Sequence, residues 1–186
     1  MPLAVVSGGG RGLGEAICAR LGQEGFEVWV GHRDHAQGAE KVAARIRSEG
    51  GRAAPLRLDV ADPGSVREAF DRVVAHPEPL SLLVNNAGVA RDGWFIMGSE
   101  SDWSEVWEVN VRGAARCSQA AARAMMAHRA GAIVHVGSLS GLRASPGQAA
   151  YAASKSALHG LTQTMAAELG RYGIRVSPCK ADFEAA

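Results

Sequence analysis

Short β-branched runs alternate with longer stretches of helical periodicity along the whole chain, and this alternation restricts the fold more than any other feature. Leu3–Val6 reads as a buried strand; glycines follow, and Ile17 and Leu21 recur at helical spacing to about Glu24. Val28–Val30, Ala53–Leu58, Leu80–Val84 and Ala132–Val136 supply four more strand runs, and Ile174–Val176 begins a sixth. A capping box at Asp34 to Gln37 opens a helix carrying Val42, Ala43 and Ile46, with Asp34 as its N-cap. Asp62-Pro63, an N-cap followed by proline at the first helical position, opens another with Val66, Ala69, Phe70, Val73 and Val74. A long helix is predicted from about Ser101 to His128. A last one runs from about Ala149 to Arg171, with Leu158, Leu161, Met165 and Leu169 as its apolar stripe. The alternation predicts an α/β fold, a doubly wound parallel sheet with helices on both faces. Ligands of such sheets sit at the carboxyl ends of the strands, where the polar punctuation of this chain falls.

At 186 residues the chain fits one domain. Twenty Lys+Arg against 19 Asp+Glu give a net charge of +1, which argues against nucleic acid or an anionic membrane as partner. Apolar residues at 47% are enough for a packed core. Cys18, Cys117 and Cys179 lie far apart with no C-x-x-C, as expected of a reducing cytoplasm and not of a disulfide scaffold or zinc site. No run approaches the ~20 apolar residues of a membrane span, and Leu3–Val6 is too short for a signal-peptide core. His32 and His35 form the one close histidine pair, without the acids or cysteines of a metal site. Neither Ser138 nor Ser140 sits in the G-x-S-x-G of a hydrolase.

Ser7 to Gly14 follows the first strand and opens the first helix, with glycines at 8, 12 and 14. Glycines allow the backbone to approach a pyrophosphate, and a helix N-terminus offers free N–H groups and a positive dipole end. The same glycines would also serve a tight packing turn, but the strand–loop–helix context favours dinucleotide binding. At the end of the second strand an acid would bind the ribose hydroxyls of NAD and a base the phosphate of NADP. Arg33 and Asp34 stand there side by side. With Asp34 occupied as a cap and Arg11 adding a second positive charge, NADPH is expected over NADH, and His32 is a spectator. Asp59 either meets the adenine or bonds within its own turn.

Tyr151 and Lys155 stand at i and i+4 near the start of the last helix, so they share a face one turn apart. A phenol is a weak acid on its own. An ammonium about 4 Å away favours phenolate by about 4 kcal/mol at an effective dielectric near 20. Ser138 ends the fifth strand, where such a sheet presents chemistry. Asn110 lies among Trp103, Val106, Trp107 and Ala114 in the long helix; a polar residue so placed needs a partner, either in the reaction or in the backbone.

These residues together resemble the short-chain dehydrogenase/reductase family. Ser7 to Gly14 is similar to its T-G-x-x-x-G-x-G, with Ser7 in place of threonine; Asn85 to Gly88 matches N-N-A-G. Asn110, Ser138, Tyr151 and Lys155 match its Asn–Ser–Tyr–Lys tetrad. The resemblance covers about Leu3 to Val176, and the stretch from Gly131 to Gly173 looks closest to 3-oxoacyl-[acyl-carrier-protein] reductases, enzymes of fatty acid biosynthesis. It implies that Tyr151 protonates a carbonyl oxygen that Ser138 hydrogen-bonds, that Lys155 holds the nicotinamide ribose, and that Asn110 holds a relay water. It implies a cofactor lined by Gly8, Gly10, Arg11, Gly12, Leu13, Gly14, Arg33, Asp59, Val60, Asn86, Ala87 and Gly88, together with Tyr151 and Lys155. The implied reaction is NADPH-dependent reduction of a ketone, small or carrier-bound, to a secondary alcohol. An acyl carrier protein is the implied partner, for which Arg123, Arg129 and Arg171 are candidate contacts. Other ketoreductions, and a nucleotide-binding remnant without turnover, are the alternatives.

After Val176 the family pattern of an Asn-containing run ending in Pro-Gly is absent. Residues 1–176 therefore read as the reductase domain, incomplete, and 177–186 as a non-family tail left by truncation or a frame change. The sixth strand is expected to be partial and the seventh absent. The family's homo-oligomer is put in doubt with the missing C-terminal interface. A sixth strand left at the sheet edge is an aggregation liability that Pro178 blunts in part.

Overall fold

The computed structural model describes residues 1–179; residues 180–186 of the expected tail lie outside the described residues. Six strands, β1 (Leu3–Val6), β2 (Glu27–His32), β3 (Arg52–Arg57), β4 (Leu80–Asn85), β5 (Gly131–Val136) and β6 (Ile174–Cys179), form one sheet in the order β3-β2-β1-β4-β5-β6. Every pairing is parallel. The expected doubly wound α/β sheet is thus observed. β1 is central and all four of its residues are buried, as a strand covered on both faces requires.

Helices α1 (Gly12–Gln23) and α2 (Ala36–Ser48) cover one face, packing Cys18, Val42 and Ile46 onto Val6, Val28 and Val30. Helices α3 (Pro63–Val74) and α5 (Ala114–Met126) cover the other, where Phe70, Cys117 and Met125 meet Val5, Leu56, Leu83 and Ile133. α6 (Ala149–Leu169) brings Met165 and Leu169 to the same side. α3 begins as its sequence predicts, with Pro63 in the first turn and the Asp62 carboxylate accepting the Gly64 N–H at 2.8 Å.

Three expectations need correction. Asp34 does not cap α2: the helix starts at Ala36, His35 occupies the N-cap position without a side-chain bond, and the Asp34 carboxylate accepts from Arg33 Nε at 2.6 Å. The neighbouring guanidinium out-competes the helix end. The long helix from Ser101 is not one regular helix either. α4 (Glu100–Trp107) passes through a π-helical turn, Glu108–Gly113, into α5, and such turns often accompany functional sites. Finally, the fully buried face of α6 shares only Leu158 with the predicted apolar stripe. Ala150, Ser154, Lys155, Leu158 and Thr162 are buried, whereas Leu161, Met165 and Leu169 are only half-buried.

β6 continues past Val176 through Ser177 and Pro178 to Cys179, each residue in register with β5. It is an edge strand of the sheet among the described residues, the position where a proline is tolerated.

Candidate active site

The loops leaving β1 and β4 part at the carboxyl edge of the sheet, and Ser7 ties them together. Its hydroxyl, 1% exposed, accepts from the Asn86 N–H at 3.1 Å and the Ala87 N–H at 3.0 Å. Asn86 returns the contact, its amide donating to the carbonyls of Ser7 and Gly8, both at 3.0 Å. The glycine loop is packed so tightly here that a Cβ on Gly14 would overlap the Gly8 carbonyl and lie 2.6 Å from Asn86 Nδ2. α1 has no side-chain cap, so the N–H groups of its first turn stay free for an anion.

A crevice of about 1020 Å³ opens above these loops. Its walls hold every residue the sequence assigned to a cofactor: Gly8, Gly10, Arg11, Gly12, Leu13 and Gly14; Arg33; Asp59 and Val60; Asn86, Ala87 and Gly88; Tyr151 and Lys155. Ser138 lines it too; Asn110 does not. At one end Arg33 is paired to Asp34, and both side chains are mostly exposed. His32 lines the same end with Nδ1 buried and unpartnered. Asp59 serves its own turn, with Oδ1 accepting the Ala61 N–H at 3.0 Å and its N–H donating to Ser65 Oγ at 2.9 Å, while still facing the crevice.

Lys155 is 7% exposed and donates from Nζ to the Val136 carbonyl at 2.7 Å. Burial pushes its ammonium down to about 8. Nζ stands 5.5 Å from the centroid of the Tyr151 ring, one helical turn away on the same face of α6. Gly88 leaves the gap between them and the β4 loop: a Cβ there would lie 3.3 Å from Asn110 Oδ1 and 3.7 Å from Lys155 Nζ. Ser138 precedes a short 3₁₀ turn, Leu139–Gly141, and its Oγ accepts the Ser140 N–H at 3.2 Å.

Asn110 sits in the π turn and braces the site from behind. Its Oδ1 accepts the Val89 N–H at 2.8 Å, and its Nδ2 donates to the Val89 carbonyl at 2.9 Å and to Ser154 Oγ at 3.0 Å. Both amide hydrogens are therefore spent within the protein. Ser154, which sequence reasoning passed over, donates in turn to the Tyr151 carbonyl at 2.7 Å and so joins the π turn to the first turn of α6. Gln148 was also missed. It lines the crevice, accepts from Ser140 Oγ at 2.9 Å and donates to Asp92 Oδ1 at 3.3 Å. The available signal was its place as the polar residue just before α6.

The sequence model of the family described as short chain dehydrogenase matches residues 2–181. The chain belongs to that family. It is an oxidoreductase by its relatives. It is 36% identical over 180 residues to a 3-oxoacyl-[acyl-carrier-protein] reductase of Staphylococcus aureus, covering 97% of this chain and 73% of the relative. A (3R)-3-hydroxyacyl-CoA dehydrogenase of Canis lupus familiaris is 40% identical, over 93% of this chain and 70% of its own length. Among solved structures, a gluconate 5-dehydrogenase from Burkholderia cenocepacia in complex with NADP and tartrate superposes with a TM-score of 0.89 at 35% identity, covering 96% of this chain and 70% of that one. The match extends beyond Val176, through Ser177 and Pro178. Among the described residues no three His, Cys, Asp or Glu side chains are grouped to hold a metal, and no helix is long and apolar enough to cross a membrane.

Proposed function

We propose that this chain reduces a ketone to a secondary alcohol with NADPH, and that the ketone is a 3-oxoacyl thioester. The observation that carries the reading is the single crevice shared by the glycine loop, Gly88, Ser138, Tyr151 and Lys155. Its volume suits an extended dinucleotide, the uncapped N-terminus of α1 suits a pyrophosphate, and the open flank of Gly88 leaves room for a flat ring beside Lys155. When bound, the nicotinamide supplies the hydride.

Everything else falls to the chain's own residues. Ser138 orients the substrate carbonyl by hydrogen bonding its oxygen, and Tyr151 passes its phenolic proton to that oxygen. Lys155 steadies the phenolate left behind and bonds the cofactor ribose, with Val136 fixing its ammonium. Asn110 and Ser154 keep the π turn and α6 aligned. NADPH over NADH is supported by Arg33 and Arg11 in the crevice wall and by the NADP complex of the Burkholderia protein. The thioester substrate is supported by the two acyl-processing relatives. An acyl carrier protein as the donor of that thioester would meet Arg123, Arg129 and Arg171, and its rate would fall with salt.

The test mixes purified protein, NADPH and an acetoacetyl thioester and follows the reduced-nicotinamide absorbance. Turnover is expected, and Tyr151→Phe is expected to lose about 10²-fold or more of it while still binding the cofactor. Cofactor binding with no turnover in the wild-type chain selects the remnant reading instead.

A further inference from the structure

Behind the crevice, four polar side chains from four elements form one buried chain. Asn85 on β4 donates from Nδ2 to Ser118 Oγ on α5 at 2.9 Å; Ser118 Oγ lies 3.0 Å from His135 Nε2 on β5; His135 Nδ1 lies 2.8 Å from Thr162 Oγ1 on α6. His135 and Ser118 are 1% exposed and Thr162 is 3% exposed. The proton positions follow from counting donors. Thr162 spends its hydroxyl hydrogen on the Leu158 carbonyl at 2.6 Å, so it accepts from His135 and Nδ1 carries the ring proton. Nε2 is then a lone pair and receives the Ser118 hydrogen, while Ser118 accepts from Asn85. This pattern needs a neutral ring. Burial, and then the Lys155 ammonium, hold His135 down to about 4. Lys155 on α6 is the charged side chain acting on it; the groups facing it from β4, α5 and α6 are Asn85, Ser118 and Thr162, and its register partner on β6 is Pro178.

We propose that His135 is a positioning residue: through Thr162 it pins α6 to β5 in the register that lets Lys155 reach the Val136 carbonyl. The assignment rests on the catalytic reading of Tyr151 and Lys155 given above. Thr162 lies seven residues, about two turns, beyond Lys155, so both project from one face of α6. Val136 follows His135 on the strand, so adjacent strand residues hold the helix at two points. Sliding the helix by one residue moves it about 1.5 Å along its axis, enough to break either contact. The link to Ser118 reaches α5 and leaves α6 free.

The two links separate by mutation. Thr162→Val and Ser118→Ala each strip one ring nitrogen of its partner, but only Thr162→Val releases α6. The chain contains three lysines, Lys41, Lys155 and Lys180, so the Lys155 ammonium can be titrated by its Cε resonance in NMR, with no need for turnover. Thr162→Val and His135→Leu are expected to move its midpoint up from about 8 toward the ordinary lysine value. They should lower kcat by about tenfold or more and raise the cofactor KM, since Lys155 also bonds the cofactor ribose. Ser118→Ala is expected to leave the midpoint in place. Thr162→Ser keeps the hydroxyl, and His135→Asn keeps a donor at the δ position; both are expected to preserve the wild-type midpoint. Equal midpoints in Thr162→Val and Ser118→Ala would overturn the proposal, as would a His135→Asn protein that titrates like His135→Leu. A wild-type chain without turnover would sink the reductase reading and leave this measurement standing.

Discussion

Lys155 carries a positive charge in a place where water barely reaches it, and that conflict makes it the most informative single residue of the site. Its ammonium is pushed down to about 8 by burial, from an ordinary value of 10.5. Between those values the unfolded chain binds more protons than the folded one, so stability rises as pH climbs from about 8 to about 10.5. Below about 8 that stability is absent, a difference on the order of 3 kcal/mol for a fully resolved shift. Lys155→Met removes the charge while keeping most of the buried stem. Its stability near neutral pH is expected to hold or rise by up to about 3 kcal/mol, and its alkaline rise to vanish. Turnover is expected to fall, because the phenolate loses its neighbour. Urea titrations of both proteins at three pH values, beside the reductase assay, check this; a variant clearly less stable at neutral pH would contradict it. A residue costly to the fold yet needed by the chemistry is the usual stability–activity exchange.

At the scale of elements, the glycine loop separates two reasons for having glycine. Gly12 has a φ of 56°, in the left-handed region, but nothing lies within 4 Å of where its Cβ would be. Gly14 needs no such φ, but its Cβ would overlap the Gly8 carbonyl and press on Asn86. Gly12→Ala should cost about 1–2 kcal/mol of backbone strain and keep the loop. Gly14→Ala should force the β1 loop off Asn86, with cofactor binding lost before the fold. Isothermal titration of NADPH against the two variants checks the order, and equal affinities would refute it. The loop was legible because glycine spacing between a strand and a helix is a local signal. So was the cap at Asp62, a contact two residues long. Other elements were not. The π turn at Glu108–Gly113 leaves the helical hydrophobic pattern nearly intact, so nothing in the spacing announces it. Asp34 was misread because the capping-box pattern ignores a competing arginine next door. The inner face of α6 was misread because periodicity equates burial with apolarity, and this face is buried through hydrogen bonds of Ser154, Lys155 and Thr162.

At the scale of the whole molecule, the strand order places the divergence of chain direction between β1 and β4, and the crevice straddles it. One half of the sheet supplies the glycine loop and Arg33; the other supplies Ser138, Tyr151 and Lys155. The parallel sheet and a site at its carboxyl edge were readable from the alternation of elements; the strand order that divides it was not. Nor was the seam between the halves, because it is made by pairs far apart in sequence, such as Ser7 with Asn86 and Ala87. A ligand lying across the seam binds only the folded chain and couples both halves, so it should raise their common melting temperature. At a hundredfold excess over Kd the gain is about 2.7 kcal/mol, or about 5–10 °C for a chain of this size. NADPH is expected to produce this shift at lower concentration than NADH, because on the proposed reading its extra phosphate would meet Arg33 and Arg11, which line the crevice. Asp34 opposes the preference by holding the Arg33 guanidinium at 2.6 Å, so the phosphate must take the arginine from its partner. Arg33→Ala should then weaken NADPH about tenfold and leave NADH nearly unchanged, whereas Asp34→Asn should tighten NADPH by freeing the arginine. Thermal melts over a series of each cofactor distinguish these outcomes. If Arg33→Ala lowered both affinities alike, the arginine would be holding the loop and not reading the phosphate, and the preference for NADPH would lose its physical basis.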